Sequence, residues 1–161
     1  MSKIDKIDIE IVNLLMEDGR MPASELARRI GDISERVVRY RIDRLVNEGV
    51  ISISAIPKPR AVGYSVVADV LIEVESGLIN EVASHFLGYD CISYIACAIG
   101  EKDVSLQVVA KDTTEVYRFI TDVIGKTPGV RKTTTSIVPL VLKDVYQWRI
   151  PMSSVAANES K

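Results

Sequence analysis

The stretch Ser34-Glu35-Arg36-Val37-Val38-Arg39-Tyr40-Arg41-Ile42-Asp43-Arg44-Leu45, SERVVRYRIDRL, places four arginines within nine residues of a chain whose net charge is −2. Its spacing predicts a helix opened by Ser34 as N-cap and running to Gly49. At about 100° per residue, Val38, Ile42, Leu45 and Gly49 fall on one side and must face neighbouring helices. Arg36, Arg39, Tyr40, Asp43 and Asn47 point the opposite way, with Arg44 at the edge and Arg41 beside the buried stripe. Glu35 and Arg39 form an i,i+4 pair, which a merely solvated helix would also carry.

The surroundings give this helix a context. Upstream, Ile4, Ile7, Ile11, Leu14 and Leu15 recur at helical spacing until EDGR (17–20) ends the run. Ser24 is positioned to cap a second helix carrying Leu26, Ala27 and Ile30, which Gly31 closes. Downstream, VISISAIPKPR (50–60) alternates like a strand before its prolines stiffen a linker. Three short helices followed by an extended segment are the plan of a winged helix-turn-helix, whose second motif helix enters a DNA major groove. The outward residues suit that task. Arginine bonds a guanine edge bidentately, Tyr40 and Asn47 reach base or backbone, and Arg44 with the helix N-terminus at Ser34 suits phosphates. Arg41, flanking the core, either braces the first helix through its acids or reaches a phosphate.

Beyond residue 61 the composition changes. A β-branched run SVVADVLIEVE (65–75) precedes a helix with Leu78, Val82 and Phe86, and then a strand CISYIACAI (91–99). The turn GEKD (100–103) leads to a strand VSLQVVA (104–110). A helix with Val116, Phe119, Ile120, Val123 and Ile124, the turn TPGV (127–130) and a strand through TTTSIVPLVL (133–142) complete the series. The order β-α-β-β-α-β is ferredoxin-like. Two helices would cover one sheet face and leave the other, half apolar, to pair with a second sheet in a homodimer. The expected fold is therefore α+β, a helix-turn-helix domain over 1–50 joined by a strand and linker (51–62) to a ferredoxin-like domain over 63–150. A small polar tail over 151–161 is expected to fray.

Composition narrows the function. The chain has 161 residues, 47% hydrophobic, which fills a core and excludes a disordered protein. A slightly negative chain holds nucleic acid only through a local patch. One histidine and two cysteines, Cys91 and Cys97, argue against a zinc site, and the cysteines are expected to be reduced core thiols. No metal or cofactor is expected. No apolar run approaches the roughly 20 residues needed to span a bilayer, and MSKIDKIDIEIV lacks the apolar core of a signal peptide. A cytoplasmic location follows as an expectation.

With these residues in view, DGRMPASELARRIGDISERVVRYRIDRLVNEGVI (18–51) resembles the DNA-binding half of the Lrp/AsnC, or feast/famine, transcription regulators. Asp18-Gly19-Arg20, Glu25-Leu26-Ala27, Ser34, Val38, Arg41, Arg44-Leu45 and Gly49-Val50-Ile51 match the family pattern. Gly63-Tyr64, Gly100 with Asp103, and Pro128-Gly129-Val130 resemble landmarks of its effector-sensing domain. The resemblance implies a homodimer that associates into an octamer or higher assembly, binds near promoters and responds to an amino acid. It also implies an effector pocket at Gly100 and Asp103, with Thr133, Thr134 and Thr135 as hydroxyl partners. An exposed glycine amide can approach a carboxylate and Asp103 can hold an ammonium group. Ordinary turn geometry and strand propensity account for the same residues. Pro139 departs from the pattern and must sit at an edge or bulge of the last strand.

Two other functions compete with this one. Sirohaem decarboxylases are similar in both domains, but they rely on a histidine- and arginine-rich pocket, and His85 stands outside any such cluster. A low-specificity DNA-coating protein would bind specific and random duplexes alike. The reading adopted is a non-enzymatic, sequence-specific regulator with duplex DNA and a small-molecule effector as partners.

Overall fold

The computed structural model describes residues 3–155, which divide into two units: residues 3–56 together with 142–155, and Pro57–Val141. In the first unit, α1 spans Lys6–Glu17. Asp5 caps it, accepting from the Asp8 backbone N–H at 2.9 Å while the Asp8 carboxylate accepts from the Asp5 N–H at 3.1 Å. α2 spans Ala23–Ile30, with Pro22 rather than Ser24 at the N-cap position. A proline there lacks only a donor that the first turn leaves unused, so Ser24 falls inside the helix. α3 spans Glu35–Asn47, and the Ser34 hydroxyl accepts from the Val37 N–H at 3.3 Å. It stops two residues short of the expected Gly49, where the Gly49 and Val50 N–H groups turn back to the Val46 and Leu45 carbonyls.

Ile11, Val12, Met21, Leu26, Val38 and Leu45 form the core of this unit. The alternating segment after α3 forms no strand, because nothing among the described residues pairs with it; Ile51 still donates to the Leu45 carbonyl. Residues 142–155 also belong here rather than with the sheet. The Asn13 side-chain amide grips the Ile150 backbone both ways, donating to its carbonyl at 3.0 Å and accepting from its N–H at 2.9 Å. Ile150 packs on the helical core, and Arg149 pairs with Glu17. Within the expected frayed tail, Met152–Ser154 form a 3-10 turn and Val155 is buried; residues 156–161 lie outside the described residues.

The second unit opens with a 3-10 turn at Pro59–Val62, in which Arg60 donates to the Pro139 carbonyl at 2.7 Å. Its elements are β1 (Val66–Val74), α4 (Ile79–His85), β2 (Ile92–Cys97), β3 (Val104–Ala110), α5 (Thr113–Arg118) and β4 (Val130–Ile137). α5 runs on through a π-helical segment, Phe119–Val123, and a 3-10 turn, Ile124–Lys126. The strands form one antiparallel sheet in the order β2-β3-β1-β4. This is the ferredoxin-like arrangement.

One sheet face carries Val70, Ile72, Val74, Val104, Leu106 and Val108, packed with Val82, Phe86 and Ile124 of the helical layer. The other carries Val67, Asp69, Leu71 and Glu73 of β1, by the alternation of a strand. β4 ends at Ile137 rather than 142, two residues before Pro139, which has no N–H to extend the ladder. Cys91 is half-buried, which pushes its thiol pKa up, whereas Cys97, at the end of β2, is exposed rather than core.

Candidate functional site

The helical period sorts the arginines of α3 into two classes. Arg36, Arg39, Tyr40 and Asn47 are exposed, Tyr40 to 67%, opposite buried Val38 and Leu45. Arg36 has no ion pair or hydrogen bond among the described residues. Arg39 is held by Glu35, with its Nε 3.0 Å from Oε1. A shallow open depression lined by Glu35, Arg36, Arg39, Tyr40 and Asp43 runs along this face.

The other two arginines are committed inward. Arg41 donates to Asp5 at 2.7 Å and to Asp8 at 2.8 Å. Arg44 donates to Asp8 at 2.5 Å, and its buried Nε has no hydrogen-bond partner among the described residues. The Asp8 side chain is fully buried, while the two arginine side chains keep about a fifth of their surface exposed. Despite the burial that opposes ionisation, hydrogen bonds and charge from Arg41 leave the Asp5 pKa lowered. The bracing role of Arg41 is therefore realised. Arg44, at the edge of the outward face, turns its long side chain back to α1 and keeps only about a fifth of its surface exposed. Asp8 was missed as a functional residue; its signal is a carboxylate set between Ile7 and Ile9 on an apolar stripe.

The field around this helix is weak. Residues 1–56 carry nine Lys and Arg against ten Asp and Glu, and on α2 Arg28 and Arg29 are paired with Glu25. Those two arginines hold the Glu25 carboxyl down to about 2, Arg28 contributing most. The surface around α3 is therefore not broadly basic, and its distinctive feature is the placement of individual side chains.

In the sheet unit, the turn after β2 brings Gly100 to φ +147°, which side-chain-bearing residues rarely adopt. Asp103 closes that turn on β1. Its N–H donates to the Ile72 carbonyl at 2.9 Å, and its Oδ2 accepts from the Val74 N–H at 2.8 Å, where β1 is bulged. One carboxylate oxygen thus has a structural task. The three threonines do not form one wall. Thr134 opposes Leu71 and shares the open face, whereas Thr133 and Thr135 oppose Ile72 and Val70 on the helix-covered face. They also lie about two strand spacings, roughly 10 Å, from Asp103, so one subunit does not gather all five residues around one small ligand. His85 stacks edgewise on Phe86, with ring centroids 5.4 Å apart, beside Tyr89. No helix among the described residues is long and apolar enough to cross a membrane.

Comparison with known proteins finds two family models along the chain. Residues 4–52 fit a model described as winged helix-turn-helix DNA-binding, and residues 67–147 fit one described as Lrp/AsnC ligand binding domain. The chain is 37% identical over 145 residues to an uncharacterized HTH-type transcriptional regulator of Pyrococcus horikoshii, covering 89% of this chain and 91% of that one. It is 38% identical over 136 residues to the HTH-type transcriptional regulator FL11 of Pyrococcus abyssi, covering 84% and 89%. Among solved structures, a Neisseria meningitidis transcriptional regulator in complex with L-Met superposes with a TM-score of 0.84 at 23% identity, over 94% of this chain and 99% of that one. AsnC of E. coli superposes with a TM-score of 0.78 at 20% identity, over 89% and 98%. These two likenesses speak to the fold.

Proposed function

The chain belongs to the Lrp/AsnC family of DNA-binding transcription regulators, and we propose that it reads duplex DNA sequence-specifically through α3 under the control of a small molecule, most simply an amino acid. The observation that carries this reading is the split of the α3 arginines. Arg36, Arg39, Tyr40 and Asn47 are presented outward, while Arg41 and Arg44 spend their charge on Asp5 and Asp8. Base edges are met by Arg36 and Arg39, and the backbone by Tyr40, Asn47 and the N–H groups beside Ser34. Arg41 and Arg44 hold the helix rather than touch DNA.

The protein acts as a homodimer that associates further, to an octamer or higher, so that several heads engage half-sites along one duplex. The half-apolar open face of the sheet supports pairing of two subunits. A low-specificity coat is disfavoured by the near balance of charge in residues 1–56. A non-enzymatic role is supported by the names of the relatives, all transcriptional regulators. The effector meets Gly100 and the unoccupied oxygen of Asp103; Thr133, Thr134 and Thr135 join only through a neighbouring subunit. The L-Met in the Neisseria relative's title supports an amino acid as the class.

The test is titration of the full chain against its own promoter DNA, with and without each common amino acid, alongside Arg36→Ala and Arg39→Ala. Each substitution is expected to weaken specific binding by about 1–3 kcal/mol, the value of a bidentate base contact. Unchanged affinity and footprint in both would remove α3 from the interface. A binding curve indifferent to every amino acid would remove the effector class alone.

A further inference from the structure

The outward face of α3 carries two carboxylates that a phosphate-seeking surface would not keep. Glu35, Arg39 and Asp43 follow one another at i, i+4 and i+8, forming one row along the helix. Arg36, Tyr40 and Asn47 lie along the adjoining row. The span from Glu35 to Asp43 is about 12 Å at 1.5 Å per residue, close to the width of the major groove. Glu35 has a reason to be present in the free protein, since it lies in the first turn and bonds Arg39. Asp43 makes no such bond: it is exposed in the interior of the helix and, although four residues from Arg39, has no hydrogen bond or ion pair among the described residues. The four charged residues of this face, Glu35, Arg36, Arg39 and Asp43, cancel.

In the major groove, carboxylates are repelled by the phosphate chain and accepted only by base-edge donors, the exocyclic amino groups of cytosine and adenine. Arg36 and Arg39, bracketed by acids, cannot settle on phosphate without bringing Glu35 or Asp43 against it. We propose that Glu35 and Asp43 are specificity-determining residues. They penalise every docking of α3 on the backbone and favour sites that offer a cytosine or adenine amino group beside the guanines read by the arginines. The element is one of exclusion as much as attraction. It rests on the assignment of α3 as the DNA-reading helix.

The experiment begins with selection of binding sites by the full wild-type chain from random duplexes of about 30 base pairs, roughly three helical turns. Affinities for the recovered duplex and for a scrambled duplex of equal composition are then measured for wild type, Glu35→Gln, Asp43→Asn and Glu10→Gln, which removes one charge from α1 instead. Both α3 variants are expected to bind the scrambled duplex more tightly and to lower the specific-to-scrambled ratio by about tenfold, the size of one mismatched base pair. Selection repeated with Glu35→Gln is expected to lose a preference for cytosine or adenine at one position. Glu10→Gln should shift both affinities together and keep the ratio. Ratios in the two α3 variants equal to wild type, or moved no more than by Glu10→Gln, overturn the proposal while leaving α3 as the reader. Failure of wild type to enrich any sequence overturns the reading of α3 itself, and this proposal with it.

Discussion

Replacing Asp8 by alanine should expose how strongly α3 is tied to α1. Asp8 is fully buried and, among the described residues, is the one carboxylate paired with Arg44; it also shares Arg41 with Asp5. After the substitution Arg41 keeps Asp5 at 2.7 Å, but Arg44 is left without its acid and with an Nε that already lacks a partner. Removing one partner of a buried ion pair costs about 3–5 kcal/mol. Because both arginine side chains retain about a fifth of their surface in contact with solvent, the lower end applies, about 3 kcal/mol. Asp5→Ala removes an N-cap and one of two Arg41 contacts at a half-exposed position, and should cost only about 1 kcal/mol. Trp148 is the sole tryptophan and belongs to this unit, so urea unfolding followed by its fluorescence reports the right region. With a slope of about 1.5 kcal/mol per molar urea, the midpoint of Asp8→Ala should fall by about 2 M. A loss below about 1 kcal/mol, or an Asp5→Ala variant as damaged as Asp8→Ala, would refute the claim that buried charge fixes this helix.

Glu25 and Gly129 offer independent checks. Arg28 and Arg29 hold the Glu25 carboxyl at about 2, below its ordinary 4.5; a depressed carboxyl stabilises above its unfolded value, so that small contribution is intact above pH 4.5 and is lost as pH falls towards 2. An NMR titration of Glu25 with a midpoint near its ordinary value would contradict the fork seen here. Gly129 has φ +86°, and an added Cβ would lie 2.9 Å from Leu78 Cδ1 and 3.2 Å from Val82 Cγ2. Gly129→Ala should therefore destabilise the sheet unit by about 2–3 kcal/mol. Gly63→Ala, at φ +92° with nothing within 4 Å, should cost only about 1 kcal/mol of backbone strain. Equal melting temperatures for the two variants would show that contact with α4 adds nothing.

The outward face of α3 was legible because a helical period and a serine cap are local signals, and Ser34 caps where expected. The inward turn of Arg44 was not, since its partner Asp8 lies 36 residues away and side-chain reach is not written in spacing. Pro139 signalled an edge strand, and β4 does lie at the sheet edge, but the apolar run to 142 hid that the strand stops at Ile137. The alternation after α3 suggested a strand, but alternation supplies a face and not a hydrogen-bonded neighbour. The threonine run reads as one cluster along the sequence, yet the pleat sends Thr134 to one side and Thr133 and Thr135 to the other. The attachment of Ile150 to Asn13, across 137 residues, has no periodic signature at all.

That attachment bears on the order in which the protein is made. A ribosome that has just released α3 must still translate about a hundred residues before Arg149 and Ile150 emerge to meet Glu17 and Asn13. At roughly 5–20 residues per second, this is a wait of about 5–20 s. The nascent head therefore stays open along α1 while the sheet is being synthesised, and it is sealed last.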